Sequence, residues 1–477
     1  MIARPDRLEE RVLAVEAPGG PVARLSVVAP SVIRAGEQFR VKLAALDAKG
    51  YPSVECDAPA RALAGPAGGM PDEVVFEAGR PAVAAIEGVS LAEEGWHRLA
   101  FELAGESWLS NPVQCDARER RVFWGDPHVH TCLSRCHPTQ CRSLDFCFVA
   151  ARHMTGLDWV CAADHVSNDR ADKGKWEAQR RAVRIFDQPP EFAALLGYEA
   201  SLKGGAGGDN NVYCRGDLQD FADCYEEGDT RTLSEMLAGE ECFIVPHHTT
   251  RTGKHGELDD RTWLGPERMP VVEIHSKWGT SEFRGNPNPL HEVHEGPSFV
   301  ADLLARGYPM GFIAGTDTHA TMPSGYGDDS SHIDRLPGLT AVHAPELTRE
   351  HVYDNIKARN CYATSAERVL IAGLEIANAG MGRELPWLIP SSPREIRAQI
   401  AAESQIARVD VVRNGEDVFS MAGDGWRALL RFTDEQDLSQ VAFEPCGHFD
   451  RPFVYYYIRV SCASGAQAWT SPVWLTL

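Results

Sequence analysis

No run of this chain approaches the roughly 20 consecutive apolar residues that a membrane-spanning helix needs, so a membrane partner is not expected. Positive charge is scarce: 47 Lys and Arg stand against 68 Asp and Glu, a formal net charge of −21. A field of that sign repels nucleic acid and anionic lipid alike, which leaves a small-molecule substrate as the expected partner. The first residues, MIARPDRLEERVLAVEAPGG, lack the apolar core of a secretory signal, so a cytoplasmic location is the expectation. Thirteen cysteines are present, yet none shows the paired spacing of a zinc knuckle. Even the local group Cys132, Cys136, Cys141 and Cys147 reads first as small hydrophobes in a reducing compartment, with a redox-sensitive thiol or a structural metal as weaker alternatives. Internal repeats and low-complexity tracts are missing as well.

A chain of 477 residues exceeds one ordinary core and suggests several domains. Residues 1–118 carry short, partly alternating apolar runs such as LSVVAP, FRVKLAALDA and HRLAFELAG, divided by Gly, Pro and charged turns. That pattern predicts an all-β, sandwich-like domain. Over 119–365 strand-like and helix-like segments alternate. SLDFCFVAARHMTG predicts a helix with Ser143 at its N-cap and Gly156 past its end, GLDWVCAA a strand, and KWEAQRRAVRIFD a second helix. AALLG, MGFIAG and GLTAVHA continue the strands; SFVADLLARG and TREHVYDNIKARN continue the helices. The alternation predicts an α/β domain built on a mainly parallel sheet, with a barrel favoured over an open sheet. Residues 366–477 return to strands, with Asn414-Gly415 as a two-residue hairpin turn, and predict a second sandwich-like domain.

The chemistry concentrates in the middle domain. His128, His130, His165, Glu199, His247, His275, Asp317 and His319 fall in six short segments, nearly all just past a run that reads as a buried strand. The C-terminal ends of successive barrel strands converge on one face, and imidazoles and carboxylates meeting there form a ligand set for zinc or manganese, with iron as an alternative. His128 and His130 are two apart, so a strand points both to one side. Asp317 and His319 repeat that spacing. Glu199 is a carboxylate suited to bridging two cations. Asp164-His165 ends its strand in the same way, with His165 as the expected ligand. His247 and His248 are adjacent and cannot both point inward from a strand; His247 is the expected ligand. Glu273 is a candidate supporting residue beside His275. Lys203, Arg251 and Lys277 lie near these ligands in sequence and could neutralise an anionic substrate. The remaining histidines read as surface or loop residues.

GDPHVHT, AADH, GYE, VPHH, EIHS and GTDTH resemble, in order and spacing, the motifs of the polymerase-and-histidinol-phosphatase (PHP) superfamily. GYEA…GGDNNVY, EIHSKWG and APELTREHVYDNIKARNCYAT are similar to a branch of PHP-like proteins of mostly unassigned function with β-domains around the barrel. The resemblance covers the middle of the chain and implies a distorted (β/α)7 barrel with two or three divalent cations. It implies that His128, His130, Glu199 and Asp317 hold the first ion, that Glu199, His247 and His275 hold the second, and that His165 and His319 belong to a third site. The family places an acidic residue or a histidine shortly after the H-x-H pair. Here the stretch is TCLSRCHPTQC, so Cys136 or His137 would complete the third site, or Arg135 would replace the ion as a fixed cation. The implied activity is hydrolysis of a phosphate mono- or diester of a small, anionic molecule, with Glu199, Arg135, His165 and His319 taking part in catalysis. Cleavage of an aryl sulfate or a carbamate by the same cluster is the alternative. A non-catalytic binding protein and a Cys136-His137 nucleophile are weaker readings. A homo-oligomer is compatible with all of them.

Overall fold

The computed structural model describes residues 1–116, 121–135, 141–166, 173–202, 207–224, 228–251, 258–290, 298–325 and 336–477. Cys136, His137 and Lys203, named above, lie outside the described residues, as do His255, His291, His294 and His332. Strand outweighs helix, 41 % against 15 %, so the chain is β-rich with helices inserted between strands. Among the described residues, no helix is long and apolar enough to cross a membrane.

The N-terminal region is not all-β. Helix α1 (Arg7–Glu16) opens on a reciprocal cap: Asp6 accepts from the backbone N–H of Leu8 and Glu9, and Glu9 accepts from the N–H of Asp6. The D-x-x-E spacing of that cap is the sequence signal for the helix. Its apolar periodicity is poor, since only Glu9 and Leu13 are buried while Leu8 and Val15 are exposed. The strands that follow form an antiparallel sheet in the order Ile2–Ala3, Val83–Leu91, Gln38–Leu46, Arg24–Val28. Two smaller sheets face it, and residues between Leu25 and Cys115 pack into a hydrophobic core of their own around Val41, Leu43, Ile86 and Phe101.

The central strands are numbered here from β1 (Arg121–Val129), followed by β2 (Trp159–Ala162) and β3 (Ala193–Ser201). These three are parallel neighbours. Helix α2 (Leu144–Val149), extended by a wider turn to Met154, joins β1 to β2, and α3 (Lys173–Phe186) joins β2 to β3. Parallel strands require such crossovers. Ser143 caps α2 through its Oγ to the N–H of Phe146, as its position predicts, and Gly156 takes φ +66° beyond the end.

From β3 the expected parallel order breaks. Strand β4 (Asp209–Cys214) runs antiparallel to β3, and β5 (Cys242–Pro246) antiparallel to β4. The connection 202–208 is too short for a crossover, so the chain folds straight back on itself. Strands β6 (Val271–Ser276) and β7 (Gly311–Ala314) are parallel to each other. Strand β8 (Gly338–Ala344) pairs antiparallel with β1, and β9 (Cys361–Ser365) antiparallel with β8. Strand β5 lies beside β6, and β7 beside β9. The sheet is therefore mixed, which corrects the mainly parallel expectation. Helices α4 (Thr230–Met236), α5 (Val300–Ala305) and α6 (Arg349–Lys357) occupy the later connections.

Beyond residue 366 the strands join the central sheet: β9 pairs with Gln467–Thr470, which leads to Phe453–Cys462 and on to Ile406–Arg413. The Asn414-Gly415 turn forms as predicted, with both residues at positive φ (52° and 85°) between Ile406–Arg413 and Glu416–Met421. Arg459 anchors this region to the centre, pairing with buried Glu282 at 2.9 Å and Asp410 at 3.1 Å.

Helix α1 is the corresponding clamp at the other end. Glu9 lies 3.1 Å from Arg152 and 3.0 Å from His153, and Glu16 accepts from both the N–H and the hydroxyl of Ser143. Burial works to raise the Glu9 carboxyl, but the His153 hydrogen bond and charge and the charge of Arg152 pull it down to about 2. Burial lowers the His153 ring in turn, so at neutral pH that ring contributes its hydrogen bond more than its charge. A carboxylate lowered on folding stabilises above its unfolded value and loses that contribution as pH falls toward the folded one. Glu9→Gln is therefore expected to cost on the order of 1–3 kcal/mol at neutral pH. The gap between variant and wild type in urea midpoint should narrow as pH drops below about 4.5, the carboxyl's ordinary value.

Candidate metal centre

Each ligand segment leaves its strand at the same end. His128 lies in β1 and His130 just after it; His165 follows β2, Glu199 sits near the end of β3, His247 and His248 follow β5, and Asp317 and His319 follow β7. Backbone bonds lock these exits together. The N–H of Asp317 donates to the carbonyl of His128, and the N–H of His130 donates to that of Thr318, so the two i, i+2 pairs interleave. A short bridge between His165 and Glu199 extends the pairing of β2 with β3. Asp126 fixes the same junction, accepting from Thr316 N–H and Oγ1–H, from Ser324 N–H and from His128 N–H. Burial pushes the Asp126 carboxyl up to about 6, and these hydrogen bonds oppose the shift. Gly315 is required here, because a Cβ at that position would stand 2.6 Å from the Cβ of His128.

The side chains converge on two buried carboxylates. Glu199 Oε2 lies 2.8 Å from His165 Nδ1, 3.2 Å from His130 Nε2 and 3.6 Å from His128 Nε2, and its Oε1 lies 3.3 Å from His247 Nε2. Asp317 Oδ1 lies 3.0 Å from His130 Nε2 and 3.5 Å from His128 Nε2, and its Oδ2 lies 3.1 Å from His248 Nε2. The rings of His165 and His319 stack on His130, each with centroids 4.4 Å away. Four overlapping groups have ligand atoms close enough to share an ion: His130, His165 and His319; His128, His130 and Glu199; His128, His247 and Asp317; Asp209, His247 and His248.

Supporting residues set which nitrogen faces inward. Ser134 Oγ donates to Asp164 Oδ1 at 2.6 Å, so it accepts from His130 Nδ1 at 2.9 Å and leaves Nε2 as the lone pair toward the carboxylates. His128 Nδ1 lies 3.1 Å from Glu273 Oε2 and 3.0 Å from Asn211 Nδ2, so the outer nitrogen is held by these partners and Nε2 faces inward. Carboxylate-oriented imidazoles of this kind are the usual outer layer of a metal site. Lone pairs facing carboxylate oxygens at this range repel unless a positive charge stands between them. His128 Nε2 and Glu199 Oε2 are accordingly buried without a hydrogen bond. Burial favours the neutral forms, yet where the positive charge is a proton on His128, it and contacts from His130 and His248 hold Asp317 well below its ordinary range. His165 charge and the neighbouring imidazoles do the same for Glu199. The donor set fits divalent cations: nitrogen and oxygen atoms, enclosed, with two committed negative charges.

Two expectations are corrected. His275 is not drawn into the group: its Nδ1 lies 2.9 Å from Thr280 Oγ1, its Nε2 lies 2.9 Å from the Leu336 carbonyl, and its ring stacks on Trp469. A register irregularity between Glu273 and His275 breaks the period-two alternation, so Glu273 takes the inward place instead. His248, set aside because its neighbour was preferred, is buried and reaches Asp317. Strand β5 ends at Pro246 and His248 adopts φ +52°, which turns both adjacent rings into the site. Asp209, Asp164 and Ser134 were not singled out as site residues, although Asp209 stands third in the GGDNNVY motif. Arg135 is exposed at φ +56°, unlike the buried ligands. The guanidinium beside the centre is Arg251, which lies over Trp278, whose ring in turn contacts His248 and His319.

Elemental analysis of purified variants checks this geometry. His130→Ala is expected to lower divalent cations per chain, whereas His275→Gln should keep the wild-type ratio. Gly315→Ala, which removes no ligand, should lower it by displacing His128.

No protein-family model matches the chain. An uncharacterized protein of Chlamydia pneumoniae is 26 % identical over 401 residues, covering 81 % of this chain and 63 % of its own length. One of Chlamydia trachomatis serovar D is 32 % identical over 402 residues with the same coverage. The chain thus spans 63 % of the length of these curated relatives. Among solved structures, a β-glucuronidase of Bacteroides uniformis aligns over 95 % of this chain and 60 % of its own at 8 % identity and TM-score 0.19. An engineered protein aligns over 68 % of this chain and 50 % of its own at 9 % identity and TM-score 0.17. Neither score supports a shared fold.

Proposed function

We propose that this chain is a metal-dependent hydrolase of the PHP kind, cleaving a phosphate mono- or diester of a small anionic molecule. The observation that carries the reading is the pair Glu199 and Asp317, both buried and both ringed by imidazoles within 3.6 Å. The barrel reading is part of the proposal. It draws support from the order of the central strands, in which β5 neighbours β6, β7 neighbours β9, and β8 links β9 to β1.

His128, His130, Glu199 and Asp317 would hold one cation, and His165 with His319 would flank it. The second set implied by the resemblance included His275; in its place we assign Asp209 and His248 to join His247. Divalent cations bound there supply Lewis-acid polarisation of an ester oxygen and acidify water. The chain's own residues supply the rest. His165 and His319 are the outer imidazoles of the stack on His130 and are assigned to the leaving oxygen, to which a protonated ring donates. Arg251, held over Trp278, is assigned to the anionic group of the substrate, where a guanidinium can grip two oxygens at once. That assignment replaces Arg135.

Aryl phosphate mono- and diesters, aryl sulfates and naphthyl carbamates, offered to cation-loaded protein, test the proposal. Turnover of the phosphoesters is expected, with a loss of about 100-fold or more for Asp317→Asn. Turnover confined to sulfates or carbamates would replace the substrate class, and full activity in Asp317→Asn would remove the hydrolase reading itself.

A further inference from the structure

A cavity of about 670 Å³ lies at the opposite end of β1 from the metal centre, between the N-terminal sheets and the start of the central domain. Ligand cavities typically hold about 300–1,000 Å³. Val122 and His128 are six residues apart along one strand, which separates the two places by roughly 20 Å. Val28, Val32, Phe39, Val122, Phe123 and Leu347 give the cavity apolar walls.

Two cations line the same space. Lys42 donates to the carbonyls of Gly156 and Leu157, and Arg368, 8 % exposed, donates to that of Thr155. The consecutive carbonyls at the end of the α2 turn hold both side chains in place, but they offset only part of two full charges. Among the described residues neither side chain has a carboxylate within ion-pair reach. Arg368 Nε is buried with no hydrogen-bond partner. Of the carboxylates that line the cavity, Asp158 accepts from the N–H of Trp124, and Glu37, Glu87 and Glu191 are taken up by other arginines. The other arginines lining the cavity are paired, Arg40 with Glu87 and Glu191, and Arg121 with Glu37. Asp158 and Glu403, which accepts from the Arg368 backbone N–H, act on these two cations only from beyond ion-pair distance, so among the described residues Lys42 and Arg368 are the cavity's cations without a direct carboxylate partner.

We infer that this cavity is a second binding site, for a medium-chain carboxylate whose head pairs with Lys42 and Arg368 and whose apolar body lies along Val32, Phe39 and Phe123. Burial, with Arg368 adding to it and Asp158 opposing, pulls the Lys42 ammonium down to about 8, so an anion there would restore its charge. The site takes no part in the proposed hydrolysis.

Octanoate and octylammonium, matched in tail and opposite in charge, separate this inference from detergent-like binding. Octanoate is expected to raise the melting temperature of the full chain in a saturable way, octylammonium to leave it unchanged, and cation content to stay constant. Lys42→Gln should weaken octanoate binding by about tenfold, the fold-change that corresponds to one modest interaction. Equal shifts from both probes, no shift at millimolar octanoate, or undiminished binding in Lys42→Gln would overturn it. Should Lys42→Gln fail to fold, the contrast between the two probes on the wild-type chain still decides.

Discussion

Moving a carboxylate from water into a protein interior costs several kcal/mol even after the surroundings relax. Glu199 and Asp317 are 2 % and 4 % exposed, and both are held in the charged form. Something positive has to compensate them, and among the described residues the groups in contact with both are imidazoles. Without cations, His128 must take up a proton, and its ring is indeed pushed well above its ordinary value: burial opposes the charge, but Asp317 and Glu273 prevail. Protons and divalent cations thus compete for the same lone pairs. Metal binding at this centre must release protons, so its apparent affinity falls as the solution becomes more acidic.

The fold spends its regularity to hold that arrangement. A strand end normally frays, yet the end of β1 is tied by backbone hydrogen bonds to the segment after β7, through His128, His130, Asp317 and Thr318. Asp317 sits at φ +51°, a conformation Asp tolerates better than most residues. Asp164 accepts from Thr131 N–H and Oγ1–H and from Ser134, so one buried carboxylate fixes the turn after β1 and, through Ser134, the tautomer of His130. Asp126 performs the matching task between β1 and β7. The outer carboxylates are paired to backbone and hydroxyl donors; the inner ones face imidazoles. That division separates residues that shape the site from residues that would hold its ions.

How much of this was legible in the sequence depends on whether a residue obeyed strand periodicity. His128 and His130, Asp317 and His319 fall two apart and land where that spacing puts them. His165 and Glu199 follow apolar runs long enough to mark their strand ends. His275 obeys the same rule on paper and fails it in space, because the irregularity between Glu273 and His275 shifts the alternation, and a bulge leaves no mark in residue types alone. His248 fails in the opposite sense: a left-handed residue after Pro246 admits a ring that an extended backbone would have turned away. The antiparallel β4 carried a signal, the short stretch between two β-like runs, that the alternation of helices and strands around it obscured. Helix α1 had its capping box but too few buried apolar positions to show a period.

The two ends of β1 carry opposite electrostatic problems, and that contrast explains why one strand can serve two sites. At its C-terminal end, buried negative oxygens need positive charge, from a proton on His128 or from divalent cations. At its N-terminal end, Lys42 and Arg368 hold positive charge over carbonyl oxygens, and among the described residues no carboxylate forms an ion pair with either. Between the two, Trp124 is buried in the large hydrophobic cluster. Charges about 20 Å apart interact weakly even so: at an effective dielectric constant near 20, the pairwise energy is about 0.8 kcal/mol. Coulomb forces alone would therefore couple the ends by only a few-fold in affinity. Any stronger communication would have to pass through β1 itself, whose register with β2 already shifts between Asp126 and Val129, at the edge of the metal centre.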